Sequence, residues 1–376
     1  MSSRKSNALL ADIGQLMVIG FDGTQLSSQL RTLLKRIQPA GVILFARNIA
    51  NADQTCRLLK DCQSCVSMPL FTCVDMEGGR VDRFRDVLGP SPSAAGVFAT
   101  GENRLFRKHG EIIGRCCRAL GFNTDFAPVV DLAFEKSRKV MSSRVVSADP
   151  REVITYAREF LAGLRGAGVL GALKHFPGLG EADLDSHDKL PSVRKTWKRL
   201  WDEDLAPYRA LRSSAPMVLI GHAAYPSVTR GKTPASLSEE WIREILRRRI
   251  GYRGLIISDD LEMGAVLKTV SIEDATVGHV RAGGNLALIC HVEEHVIRGY
   301  EVLVKEAERN SAFARKCRES IARVLACKKK CNLRKAMSSS STSDKAGRLA
   351  RQLWEFAEQV RVEAMNAQRG NRRSRA

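Results

Sequence analysis

The chain is predicted to be an α/β protein, a (β/α)₈ barrel with a basic C-terminal extension. Three observations predict this. Short apolar, β-branched runs alternate with longer amphipathic segments over the first 330 or so residues, the pattern of a parallel sheet with crossover helices. Eight such runs can be counted, the number that closes a barrel. Polar and titratable residues follow the runs, on the face where a barrel builds its site. In order, the predicted strands are 16–20 (LMVIG), 41–45 (GVILF), 70–74 (LFTCV), 123–130 (NTDFAPVV), 171–174 (GALK), 217–220 (MVLI), 254–257 (GLII) and 286–289 (LALI). Helices are predicted between them, among them 27–37, 104–120, 150–166, 196–211 and 238–249. A doubly wound open sheet is the alternative. It would leave the strand-end residues in a row, whereas closure makes them converge.

With 376 residues, 44% hydrophobic and 27% charged, the chain can bury a large core. No apolar run approaches the ~20 residues of a membrane span, and the stretch 9–20 is interrupted by Asp12 and Gln15. A cytoplasmic protein without signal peptide or anchor is therefore expected. Ten cysteines in so long a chain suggest a reducing compartment rather than a disulfide framework. Cys62 and Cys65, and Cys327 and Cys331, have loosely metal-like spacing but lack a second pair, so a zinc site is not expected.

The formal charge is +19. Residues 328–376 hold 13 Lys and Arg against 4 Asp and Glu, so much of the excess belongs to a tail. The expected division is a catalytic barrel over 1–327 and a basic, partly disordered tail over 328–376, with a helix at 346–367 carrying Leu349, Leu353, Trp354, Phe356 and Val360. An appended helix packing on the main domain is favoured over a nucleic-acid grip, which lacks interleaved aromatics and a recognisable binding fold. The tail's partner is left unassigned.

The strand ends carry the chemistry. The third predicted strand runs into Asp75-Met-Glu77-Gly-Gly-Arg80, with Arg83 after it. The fourth ends near Asp131, with Arg144 in its loop. The fifth ends at Lys174-His175-Phe-Pro-Gly178-Leu-Gly180, followed by Asp185-Ser-His187. His222, Asp259-Asp260 and His291 close the sixth, seventh and eighth. Any one of these could be a helix cap or a structural histidine, but six consecutive units with polar groups on one face imply a polar pocket. There is no phosphate loop, dinucleotide fingerprint or HExxH pair. A retaining glycosidase needs a carboxylate nucleophile and a separate acid/base. Asp259 suits the first role, although Ser258-Asp259-Asp260 could instead cap a helix starting near Leu261. Asp185 could orient His187 for the second, with a capped surface turn as the equal alternative.

These residues resemble glycoside hydrolase family 3, specifically its β-N-acetylglucosaminidases, over most of 10–330. The motifs are Gly41-Val-Ile-Leu-Phe-Ala-Arg-Asn48, Asp75-Met-Glu-Gly-Gly-Arg-Val-Asp-Arg83, Asp125-Phe-Ala-Pro-Val-Val-Asp131, Lys174 to Gly180 with Asp185-Ser-His187, Pro234-Ala-Ser-Leu-Ser238 and Gly254-Leu-Ile-Ile-Ser-Asp259. The resemblance implies a (β/α)₈ fold, Asp259 as nucleophile and His187 with Asp185 as acid/base dyad. It also implies binding of a terminal N-acetylglucosamine by Asp75, Arg83, Arg144, Lys174 and His175, without cofactor. The expected substrate is a muropeptide fragment of peptidoglycan recycling. A neutral histidine acid/base would also admit phosphate, so a phosphorylase at the same site is the alternative reaction. A non-catalytic sugar-binding barrel with an anion-binding tail is the alternative class. Gly178 and Gly180 are candidate hinges of the His187 loop. Four positions depart from the family pattern: Leu179 for a loop histidine, Met76 for glutamine, Glu262 for a small residue and Asn285 for an acid. Glu262 is expected either to point at Asp259 or to face solvent as a first-turn helix acid.

Overall fold

A computed structural model describes residues 9–182, 190–229, 231–331 and 343–373. Eight parallel strands close a barrel: β1 Met17–Ile19, β2 Gly41–Ile43, β3 Phe71–Val74, β4 Thr124–Asp125, β5 Leu170–Phe176, β6 Met217–Ile220, β7 Leu255–Asp260 and β8 Leu286–Ile289. Each pairs with its neighbour in sequence, and β1 seals the ring against β8 with Val18 opposite Leu288. Closure excludes the open sheet. The eight predicted runs supply the eight strands.

Burial on both faces explains why these runs are apolar throughout rather than alternating. Val18, Ile43, Phe71, Cys73, Ala172, Met217, Leu219, Leu255, Ile257, Leu286 and Leu288 form one cluster, and the residues between them, such as Met17, Ile19, Val42 and Val74, join another. The side-chain period of two thus divides each strand between the barrel interior and the surrounding helices.

β6 and β8 keep the predicted bounds, and the largest differences fall at β4, β5 and β7. Pro128 has no N–H for a ladder, so β4 stops at Asp125, and pairing resumes only as a bridge between Val129 and Lys174. β5 and β7 run on to Phe176 and Asp260, each through a shift in register near its end, and in β5 the charged groups read as the strand end find partners in Asp75 and Asp131. After β3 the chain forms a small hairpin, Met76–Gly78 against Val81–Asp82, that the sequence did not suggest.

The predicted helix 196–211 is two helices, Trp197–Asp202 and Ala206–Leu211. Glu203 lies between them in a non-helical conformation, and Pro207 sits in the first turn of the second, where proline is tolerated. The prediction at 27–37 begins one residue early: Ser27 is the N-cap, its hydroxyl accepting the Leu30 N–H. Glu240–Arg249 is wound as a π-helix.

A helix at Ser343–Arg373 lies across Asn103–Ala119, with Leu349, Leu353, Phe356 and Val360 buried and Trp354 exposed. Among the described residues no helix is long and apolar enough to cross a membrane.

Candidate active site

The C-terminal ends of β3, β4 and β5 form one connected polar network. Lys174 is almost fully buried near the end of β5, with Nζ 2.7 Å from Asp75 Oδ1 and 2.7 Å from Glu77 Oε1. Arg144 meets Glu77 in a two-pronged pair, Nε and Nη2 donating at 2.7 and 2.8 Å. Its Nη2 lies 3.4 Å from His175 Nε2. His175 Nδ1 sits 2.7 Å from Asp131 Oδ2, and Asp131 Oδ1 accepts the Leu179 N–H at 2.7 Å.

The energetics explain why these charges stay ionised. Burial pushes the Glu77 carboxyl up, but Lys174 and Arg144 outweigh it and bring it down to about 2. Burial opposes the Lys174 ammonium, yet Asp75 and Glu77 hold its pKa above the ordinary lysine value. Arg144 is likewise raised by Glu77 against its own burial. Glu77 is the hub, and with Asp131 it was legible only as part of the polar rim. Its proximity to Asp75 beside a Gly-Gly turn was the available signal.

β7 brings the second half. Asp259 Oδ1 accepts the Asp260 N–H at 2.9 Å. His222 at the end of β6 lies 2.8 Å from the Asp260 carbonyl through Nε2 and 2.7 Å from the Ser236 hydroxyl through Nδ1. Nε2 must donate to that carbonyl, which leaves Nδ1 to accept the Ser236 hydroxyl proton. Burial lowers the His222 pKa, in keeping with this neutral form. Burial pushes the Cys290 thiol at the end of β8 well up, and Asp260, Asp75 and Asp259 add to the shift.

Asp260 caps no helix at Leu261: β7 includes it, and the next helix begins at Gly264. Its Oδ1 accepts the Glu262 N–H at 3.1 Å, and its Oδ2 lies 3.2 Å from His291 Nε2. Burial, with the charges of Glu262 and Asp259, pushes Asp260 up to about 7. Glu262 points neither at Asp259 nor into solvent. It is buried, and its carboxylate accepts the amides of Cys290, His291 and Val292. Gly178 and Gly180, the candidate hinges, both sit where the chain has no room for a side chain. A Cβ on Gly178, at φ 134°, would come within 2.7 Å of Asp204 Cβ, and one on Gly180 within 2.5 Å of the Leu132 carbonyl oxygen.

Asn285 and Met76 make buried contacts within the barrel. Asn285 accepts from Arg247 at 2.6 Å and from the Ile256 N–H at 2.9 Å, a double acceptor role that an acid could also fill. Met76 is fully buried, and its N–H donates to Asp125.

Arg83 lies with its guanidinium 5.6 Å from the Phe45 ring centroid, and its buried Nε has no partner among the described residues. Asp185 and His187 fall outside the described residues. The chain on either side of them is tied down. Tyr225 donates to the Gly178 carbonyl at 2.7 Å. Lys195, fully buried, pairs with Asp204 at 2.6 Å and Glu203 at 2.8 Å, and Arg199 joins Glu203 to Glu181. No group of three or more His, Cys, Asp or Glu is arranged to hold a metal among the described residues.

Comparison with known proteins agrees with this geometry. Residues 8–327 match the glycosyl hydrolase family 3 N terminal domain. A beta-hexosaminidase of Xanthomonas oryzae pv. oryzae is 36% identical over 285 residues, covering 74% of this chain and 84% of the relative. One from Stenotrophomonas maltophilia is 34% identical with the same coverage. Among solved structures, a family 3 beta-N-acetylglucosaminidase from Paenibacillus sp. str. FPU-7 superposes with a TM-score of 0.84 at 30% identity, over 92% of this chain and 68% of that one. A family 3 member from Mycobacterium smegmatis gives 0.76 at 32%, over 85% and 98%. With the match spanning the whole barrel and its strand-end network, the chain belongs to glycosyl hydrolase family 3 and is a glycoside hydrolase.

Proposed function

We propose that this enzyme is a retaining β-N-acetylglucosaminidase that removes terminal, non-reducing β-linked N-acetylglucosamine, with peptidoglycan-derived muropeptides as the natural source. The observation that carries the reading is the buried Asp75–Lys174–Glu77–Arg144–His175 network on the same barrel face as Asp259. It presents fixed donors and acceptors to sugar hydroxyls, and orientation against a nucleophile supplies much of a glycosidase's rate. The names of the relatives support the sugar. Ten free cysteines support a reducing, cytoplasmic setting.

In this reading Asp75, Lys174, His175, Arg144 and Arg83 bind the ring, and the unpaired Arg83 Nε is available to the ligand. The Asp259 carboxylate attacks C1 as the C1–O bond to the aglycone breaks, and His187 gives its proton to the departing oxygen. His187, oriented by Asp185, then takes a proton from water, the water oxygen bonds to C1, and the ester to Asp259 breaks with its electrons returning to the carboxylate.

The test is chromophore release from an aryl N-acetyl-β-glucosaminide, with and without phosphate. Asp259→Ala should lose at least about a thousandfold in kcat, as expected for a covalent nucleophile. His187→Ala should lose more on poor leaving groups than on activated ones. Sugar phosphate as product would identify a phosphorylase, and no turnover by folded wild type would overturn the assignment.

A further inference from the structure

Glu262 occupies a place that calls for an explanation beyond packing. A carboxylate this buried is costly unless fully hydrogen-bonded. Its Oε2 accepts the Cys290 N–H at 2.7 Å and the His291 N–H, and its Oε1 accepts the Val292 N–H at 2.9 Å. His295 Nδ1 adds a fourth contact to Oε1 at 2.7 Å. Three consecutive amides at the end of β8 therefore converge on one carboxylate, at the start of the 17-residue helix Glu293–Arg309. Such a nest of N–H groups at a helix start favours an anion.

The nest leads directly to the reacting end of β7. His291, whose amide donates to Glu262, brings its ring Nε2 to 3.2 Å from Asp260 Oδ2. The Glu262 amide donates to the other oxygen of Asp260 at 3.1 Å, and the Asp260 amide donates to Asp259 Oδ1. Phe45 packs on the far side of the His291 ring at a centroid distance of 5.3 Å.

We propose that Glu262 is a positioning residue for the reaction: its carboxylate is the internal anion of the strand-eight nest, and by clamping the Cys290–Val292 turn it fixes His291 against Asp260 and so orients Asp259. The inference rests on Asp259 being the nucleophile and names what holds it in place. A corollary is that the chain's own carboxylate keeps inorganic phosphate out of the nest.

The experiment compares full-length wild type, Glu262→Ser and Glu262→Gln. It measures kcat and KM on an aryl N-acetyl-β-glucosaminide, and binding of inorganic phosphate by calorimetry. In the Ser variant kcat should fall about tenfold, the size of one misplaced contact at the barrier, while KM stays within about twofold. Phosphate should bind this variant and restore part of its kcat, but should neither bind nor activate wild type. Glutamine fills the nest without the charge, so it should give an intermediate kcat and no phosphate binding. A folded Ser variant with wild-type kcat, or one that loses kcat without binding phosphate, overturns the proposal. If the Ser variant does not fold, the Gln variant decides: a selective loss of kcat supports the role, and an unchanged kcat overturns it. Should wild type prove inactive, the enzymatic reading fails separately, because phosphate binding to the Ser variant alone would still establish the nest and its absence would refute it.

Discussion

Glu77 shows how a single residue can bind a site together. Its carboxylate neutralises two buried cations at once, Lys174 and Arg144. Removing one partner of such a pair leaves uncompensated charge behind, which costs more than the pair contributes. Glu77→Gln should therefore destabilise the fold by roughly 3–5 kcal/mol in urea unfolding at pH 7, and should raise KM by freeing Arg144 and Lys174 from their fixed geometry. The pH dependence has a definite sign. Glu77 is held at about 2 against an ordinary 4.5, so its stabilisation is complete above about 4.5 and fades as pH falls through 2. The gap between wild type and variant should shrink over that window, and a pH-independent gap would count against the hub role. Eight proposed site residues were named from the sequence, and Asp75, Lys174, Arg144 and His175 now stand in one hydrogen-bonded chain. The residues that complete that chain, Glu77 and Asp131, could not be singled out, because a carboxylate after a strand looks the same whether it caps a helix or pairs across the barrel.

At the scale of elements, the strands were the most legible part and their ends the least. An apolar run reports burial on both faces, which is a property of the strand alone. Where it ends depends on partners elsewhere, as when Asp75 lets β5 continue through Lys174. The hairpin after β3 had only its Gly78-Gly79 turn as a signal, because its strands are three and two residues long, too short to show a pattern. The tail helix Ser343–Arg373 makes a similar point. Its apolar stripe was readable, but its docking face was not. Phe356 is fully buried and stacks on His109 at a centroid distance of 5.9 Å, while Arg104, Lys108 and Arg115 reach across to Glu363, Gln359 and Gln352. Those polar contacts are exposed and contribute little, so the buried stripe of Leu349, Leu353, Phe356 and Val360 carries the interface. Phe356→Ala should cost about 3 kcal/mol or more and lower Tm, yet leave kcat/KM within about twofold, because none of the described contacts of Asp75, Lys174, Arg144, His175 or Asp259 is made with this helix. A proportionate fall in kcat/KM would mean that the helix supports the site.

For the molecule as a whole, the barrel has two ends with opposite electrostatic solutions. At the active end the Asp75–Lys174–Glu77–Arg144 network meets charge with opposite charge. At the other end Lys328 is nearly buried, with Nζ donating to Gln15 Oε1 at 2.7 Å and lying 5.2 Å from the Phe71 ring centroid. None of the described ion pairs includes it. Burial accordingly lowers its pKa to about 7 from an ordinary 10.5. Between those values the unfolded chain binds a proton that the folded one does not, so stability should rise with pH from 7 to 10.5 and be lowest below 7. Lys328→Met keeps the stem's apolar contacts and removes the charge. It should raise Tm below pH 7, lose that advantage toward pH 10, and leave turnover unchanged, since the strand ends that build the site lie at the opposite mouth. Melting curves across that pH range check all three expectations. An equal shift in Tm at every pH would place the effect in packing rather than in the ammonium, and a loss of activity would show that the two ends of the barrel are coupled.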